Sequence, residues 1–302
     1  MTATAAGTVN AIFARCLMDP EFLAQVTANS RLPFAALSLD DRTRAQLADL
    51  DWGRVRHFAG FITKVQHNDL WLILPYTRAL LKAYRFEIEL FARYRASYLR
   101  KRQVSMTAQL KVASFLDFLE SEIGDDPAKM PGLLDVARHE RMRWRSESDL
   151  RAADGLTNDE RPELDLTSVA AGRLSTVIPS TRGVLRLAVF DTDPESTIAA
   201  LNRGDFNVDD IRWQRRWLGY WADPSAGRLR LLELDPQTSF TLRQIDGRRS
   251  VAAVLRRARI DGGARAAPAD TRRLLEAAQR QGLLAIRARP FGPEEPHAPS
   301  PR

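Results

Sequence analysis

Three kinds of side chain in this 302-residue chain could in principle do chemistry: one cysteine, four histidines and several neighbouring carboxylates. Cys16 sits in the apolar-periodic run from Val9 to Leu23. It has no second cysteine to pair with, and the setting suits a small buried hydrophobe better than an activated thiolate. His57, His67, His139 and His297 show no H-x-x-x-H spacing, and there is no C-x-x-C, so no self-contained transition-metal site is spelled out. Asp125–Asp126 and Asp209–Asp210 lie in turn sequence, where adjacency does not fix the separation that acid–base catalysis needs. The phosphate-binding and nucleophile-elbow patterns G-x-x-x-x-G-K-[ST], G-x-G-x-x-G and G-x-S-x-G do not occur. These residues give no support to an enzyme acting alone.

The densest group of hydrogen-bonding side chains runs from Gln66 to Arg78 (QHNDLWLILPYTR), inside an otherwise apolar region. Pro75 breaks or kinks a helix there, and backbone groups that lose their partners need side-chain replacements. Two roles fit. One is a buried polar network that fixes the angle between two helices. The other is a surface that completes a partner's active site, with His67, Asn68, Trp71, Tyr76 and Arg78 at the interface and the Arg78 guanidinium fork taking a carboxylate.

These residues need elements to hold them. From Thr8 to about Arg145 the apolar residues recur at helical spacing. Val9, Ile12, Phe13, Cys16 and Leu17 make one stripe. Ser38 to Asp41 has the shape of a capping box ahead of a short helix. Phe58, Phe61, Ile62 and Val65 form a second stripe, and Leu80, Leu81, Tyr84, Ile88, Phe91 and Tyr94 a third. Ser105 is placed to cap a helix with Leu110, Phe115, Leu116 and Leu119 facing inward, and a further helix is expected over Pro131 to Arg145.

Beyond a charged, Gly- and Pro-containing stretch the period changes to that of strands. Gly183 to Phe190 alternates. A short helix from Asp193–Pro194 to Gly204 leads to a hairpin, Trp213–Trp221 and Arg228–Leu234, about the turn DPSAG. Helices are expected over Gln237–Ile245, Val251–Ala258 and Pro268–Gln281, with a strand from Leu283 to Arg287. The fold class expected is α+β: a helical N-terminal domain (1–150), a linker (151–172), a small winged-helix-like domain (173–288) and a disordered tail (289–302). A sheet edge in such a small domain offers unpaired N–H and C=O groups that an extended peptide can satisfy. Arg228–Leu234 is the candidate edge, with Leu274, Leu275 and Ala278 of the last helix forming pockets beside it.

Charge and hydropathy narrow the partners. The chain carries 45 Lys and Arg against 38 Asp and Glu, a net +7. That balance permits nucleic-acid binding without requiring it, because acids are interspersed through nearly every segment. No run of 18 apolar residues and no secretory leader pattern is present, so a cytoplasmic protein with no membrane partner is expected.

Three stretches resemble the partner proteins of multinuclear non-heme iron oxidases that modify ribosomally made peptides, the accessory subunits of methanobactin-type biosynthesis. They are Phe58 to Arg95, with FITKVQHNDLWLILPYTRALL; Pro131 to Glu140 (PGLLDVARHE); and the C-terminal unit with WLGYWADPSAGRLRLLELD, IDGRRSVAAVL and LLEAAQRQGLL. The last resembles the peptide-recognition domain of the pyrroloquinoline-quinone peptide chaperone type. The resemblance implies a non-catalytic subunit with no cofactor of its own. It would pair with an iron-holding oxidase as a heterodimer and present a precursor peptide's leader for modification of cysteine-containing core residues. The carried-over peptide site falls on Arg228, Leu229, Arg230, Leu231 and Leu232, and on Thr271, Leu274, Leu275 and Ala278. The alternative class is a winged-helix DNA-binding regulator using Arg248, Arg249, Arg256, Arg257, Arg272 and Arg273; Asp270 and Glu276 on the supposed recognition helix count against it.

Overall fold

A computed structural model describes residues 5–29, 34, 39–101, 107–124, 126–152, 162–261 and 268–289. Ser38, Ser105, Asp125, residues 153–161 of the expected linker, and residues 290–302 with His297 lie outside the described residues. Helices dominate and the strands form small antiparallel sheets, so the chain is α+β. Its contacts divide it into two compact units: Met1–Arg141 with Pro194–Ile211, and Met142–Asp193 with Arg212–Arg302. Among the described residues no helix is long and apolar enough to cross a membrane.

The first unit holds α1 (Ala5–Met18), α2 (Pro20–Ala28), α3 (Asp41–Ala48), α4 (Trp52–Gln66), α5 (Leu70–Ile73), α6 (Pro75–Ala83), α7 (Glu87–Lys101) and α8 (Ala108–Ile123). It also holds the first part of α9 (Leu133–Ala152) and all of α10 (Pro194–Arg203). Side-chain caps start most of the helices whose beginnings are polar. Asp19 accepts from Phe22 N at 2.9 Å, Asp40 from Thr43 N at 2.8 Å, Asp51 from Arg54 N at 3.1 Å and Thr107 from Leu110 N at 3.3 Å. One core gathers Ile12, Cys16, Phe22, Leu23, Phe34, Leu47 and Trp52. Burial pushes the Cys16 thiol up to about 11, in keeping with a packed, un-ionised sulfur. The larger core is built on Trp71, Leu80, Leu81, Phe91, Tyr94, Phe115 and Leu119.

Two features of this unit depart from the sequence pattern. The segment Pro194–Ile211, expected within the C-terminal domain, packs with the helices. Ile198 joins their core, and Asn202 Nδ2 donates to Tyr76 Oη at 3.1 Å. Of the apolar stripe Phe58, Phe61, Ile62 and Val65, only Ile62 is half-buried; 55%, 46% and 48% of the surface of Phe58, Phe61 and Val65 meets solvent. The face of α4 that is buried carries Ala59, Gly60, Thr63 and, just past the helix, His67. A Cβ on Gly60 would lie 2.8 Å from the Ile88 carbonyl oxygen and 2.9 Å from Ala92 Cβ, so α4 and α7 meet backbone to backbone. Small residues, and not the large apolar ones, make this helix contact.

In the second unit β1 (Val177–Thr181) pairs antiparallel with β5 (Leu284–Ala288), while β2 (Val184–Phe190), β3 (Arg216–Asp223) and β4 (Arg228–Leu234) form a three-stranded antiparallel sheet in that order. Strand β1 is absent from the sequence pattern because Pro179 cannot donate to a ladder; at a margin paired only to β5 that deficit is tolerated. Three helices follow the sheet: α11 (Pro236–Arg243), capped by Asp235, α12 (Val251–Asp261) and α13 (Pro268–Arg280), ended by Gly282 at φ +79°. Helix α9 runs on to Ala152, past the expected stop at Arg145. Alternation sorts the sheet's side chains into two faces. Leu185, Leu187, Trp221, Leu232 and Leu234 pack with the core of Val251, Val254, Leu275 and Leu284. Ala188, Phe190, Leu218, Tyr220, Leu229 and Leu231 form a second cluster with Met142 of α9.

Candidate functional site

Strand β4 is one margin of its sheet. It runs beside β3 from Trp217↔Leu234 to Asp223↔Arg228, and no other described segment hydrogen-bonds to its main chain. A strand with one neighbour leaves the N–H and C=O groups on its other side without a protein partner. The hairpin behind it is held by Asp223, which accepts from Ser225 N at 3.0 Å, Ser225 Oγ at 2.6 Å and Ala226 N at 3.2 Å. Burial works to raise the Asp223 carboxyl, but these hydrogen bonds outweigh it and hold it below the usual carboxylate range. The β2 and β5 margins carry contacts of their own. Ala188 and Phe190 on β2 are buried and Arg186 is held by Asp149 at 2.6 and 2.9 Å. On β5, Leu164 N donates to Ile286 O at 2.8 Å beside the Glu163–Arg287 bridge.

The side chains of β4 grade from charged to apolar along the strand. Arg228 is exposed, and the Arg230 guanidinium lies 4.9 Å from the Trp221 ring and 3.7 Å from Asp223 Oδ2. Leu229, Leu231 and Leu232 are half-buried, and Glu233 is matched by Arg216 at 3.0 Å. The helix residues expected at this site behave differently. Thr271, Leu275 and Ala278 are buried, the two apolar ones within the unit's own core, and only Leu274 keeps partial exposure. The strand therefore carries the accessible half of the expected constellation.

The polar segment of the first unit is largely an internal network. His67 is buried, its ring 6.0 Å from Phe91 and 5.3 Å from Tyr94, and its Nδ1–H donates to the Thr63 carbonyl at 2.7 Å. Burial depresses the imidazole below its ordinary value, the Thr63 hydrogen bond opposing, so the ring is neutral. Trp71 is buried edge-on to Phe91 and Phe115 at 5.4 and 5.9 Å, with the Arg78 guanidinium 5.6 Å from its ring. Arg78 Nε donates to Glu87 Oε1 at 3.1 Å, and Lys64 Nζ sits 2.7 Å from the other oxygen, so the Arg78 fork already has a carboxylate. Tyr76 is half-buried and Asn68 is exposed. The apolar groups facing solvent around this segment are Phe58, Phe61, Val65 and above all Leu72, 87% exposed.

Sequence reasoning passed over Glu87 and Glu140, whose carboxylates organise the network from α7 and α9. One signal was available for Glu140. Leu74 cannot cap the helix that Pro75 starts, so an acceptor had to come from elsewhere. Among the other candidate groups, Asp209 and Asp210 sit in an exposed turn whose cap is Asn207. Among the described residues no group of three His, Cys, Asp or Glu side chains is arranged to hold a metal ion. No protein-family model matches the chain, and no curated protein sequence matches it either.

Proposed function

We propose that this chain is a non-catalytic subunit that binds the leader of a ribosomally made precursor peptide along β4 and presents it to a multinuclear iron oxidase held in a cytoplasmic heterodimer. The observation that carries the reading is the unpaired outer side of β4, set between apolar side chains on both faces of its sheet. Main-chain hydrogen bonds would supply affinity, and Leu229, Leu231, Leu232 and Leu274 would select side chains. The second domain is read as winged-helix-like, three helices following the β3–β4 hairpin. The exposed α4 residues Phe58, Phe61 and Val65 would offer the enzyme an apolar surface, and Leu72 and Asn68 are further exposed positions in the same unit. Expected results are co-purification with an iron-containing enzyme and leader binding that weakens when proline replaces Leu231. Failure to bind any partner or peptide at micromolar concentration overturns the reading.

A DNA-binding regulator remains the second reading because Arg256 and Arg257 are exposed on α12. On α13, however, Arg272 is committed to Glu276 at 2.8 Å and to the carbonyls of Leu166 and Val169 at 3.0 and 2.9 Å. A steep loss of duplex affinity with salt would favour this reading over the peptide one.

A further inference from the structure

The β4 margin has a charge pattern as well as an open main chain, and it points to the class of peptide it takes. Between residues 212 and 289 the sequence has seventeen arginines, no lysine and only seven Asp or Glu. Most of those acids are already committed within the unit. Asp223, Asp235 and Asp246 accept backbone N–H groups, Glu233 is paired with Arg216 and Glu276 with Arg272. The cations at the start of β4 are less fully answered. Arg228 is exposed and has no ion pair among the described residues. Arg230 is steered by the Trp221 ring and meets one carboxylate oxygen, Asp223 Oδ2, at a long 3.7 Å, while Asp223 Oδ1 takes the hairpin-turn hydrogen bonds.

Strand geometry turns this into a pattern. On one face β4 presents Arg228, Arg230, Leu232 and Leu234 in that order; on the other it presents Leu229, Leu231 and Glu233. A strand added at this margin places its side chains beside these at cross-strand distances of about 5 Å. The residues it sets against Arg228 and Arg230 then gain from being acidic, and those against Leu229, Leu231, Leu232 and Leu234 from being apolar.

We propose that β4 selects an extended acidic–apolar peptide, with carboxylates at the Arg228–Arg230 end. This rests on the peptide-binding reading above and adds the chemical class of the ligand. The arrangement favours a peptide over a nucleic acid because the leucines between and beyond the arginines offer nothing to phosphate, while the main-chain edge suits only another polypeptide strand.

The test uses the full chain and two fluorescently labelled dodecapeptides, one alternating leucine with glutamate and one alternating leucine with lysine, followed by polarisation at 50 and 300 mM NaCl. The expected result is at least about fivefold tighter binding of the glutamate peptide, from two charge pairs that are attractive in one case and repulsive in the other. The difference should shrink at the higher salt. Arg228→Glu with Arg230→Glu should reverse the preference, and Arg228→Gln, which adds no charge to the fold, should reduce it. Equal binding of both peptides overturns the acidic assignment and leaves the peptide site standing. Binding of neither, or displacement of both by a labelled DNA duplex, overturns the peptide site as well.

Discussion

Glu140 Oε2 accepts two hydrogen bonds from Thr77, one from its backbone N–H at 2.8 Å and one from its hydroxyl at 2.6 Å, while Oε1 takes the Tyr76 N–H at 2.7 Å. A carboxylate from α9 thus caps the first turn of α6, 63 residues away in sequence. Charge-assisted bonds to orphan N–H groups at a helix start are among the stronger hydrogen bonds a protein makes. Glu140→Ala should cost about 3 kcal/mol of unfolding free energy and Glu140→Gln about 1–2 kcal/mol, measured by denaturant titration. A loss for Glu140→Ala no larger than that of an exposed helix substitution would show that the cap is not formed.

Gly60 should not tolerate alanine, although glycine to alanine inside a helix normally gains about 1 kcal/mol. A Cβ there meets the Ile88 carbonyl oxygen at 2.8 Å, on backbone that cannot rotate away. Gly60→Ala should therefore destabilise by about 1–3 kcal/mol through separation of α4 from α7. A raised melting temperature would contradict the close helix contact.

Phe61→Ser with Val65→Ser should leave the unfolding free energy unchanged within about 0.5 kcal/mol, because both side chains face solvent. If these residues were core, as their spacing alone predicts, the pair would cost several kcal/mol by the usual penalty for truncating buried apolar groups. Thermal unfolding monitored by circular dichroism separates the two.

His67 makes stability depend on pH in a defined direction. The folded state holds its imidazole below the ordinary value, so as pH falls the unfolded chain takes up the proton first and stability is drawn down. The contribution is complete above the ordinary imidazole range near neutrality and is lost as pH falls through that range to the folded value. His67→Gln should flatten the unfolding free energy between pH 7.5 and 5, compared by denaturant titration. An unchanged slope would mean that His67 is protonated in both states or in neither.

The legible parts of this molecule are those whose information is local. The β3–β4 hairpin announces itself through alternation on both sides of Asp223–Pro224–Ser225–Ala226–Gly227, and Gly227 takes the φ of +60° that its turn needs. The helices from Pro194, Val251 and Pro268 likewise follow from caps, breakers and apolar period. What did not show was set by distant contacts. The inverted face of α4 comes from a glycine fitting another helix's backbone, which looks in sequence like a weakness in the helix rather than its contact. The cap on α6 depends on Glu140, and no local pattern names a partner so remote. The helix half of the expected peptide site reads as an apolar stripe whether it lines a groove or a core, and the packing of Leu275 and Ala278 decides for core.

The most direct measurement is amide hydrogen exchange along Arg228–Leu234, with and without the alternating leucine–glutamate peptide. If a foreign strand hydrogen-bonds to β4, alternate amides there, those directed away from β3, should slow by an order of magnitude or more on binding while those already bonded to β3 change little. Peptide binding that leaves the whole of β4 exchanging as before, with protection appearing elsewhere, would contradict the account.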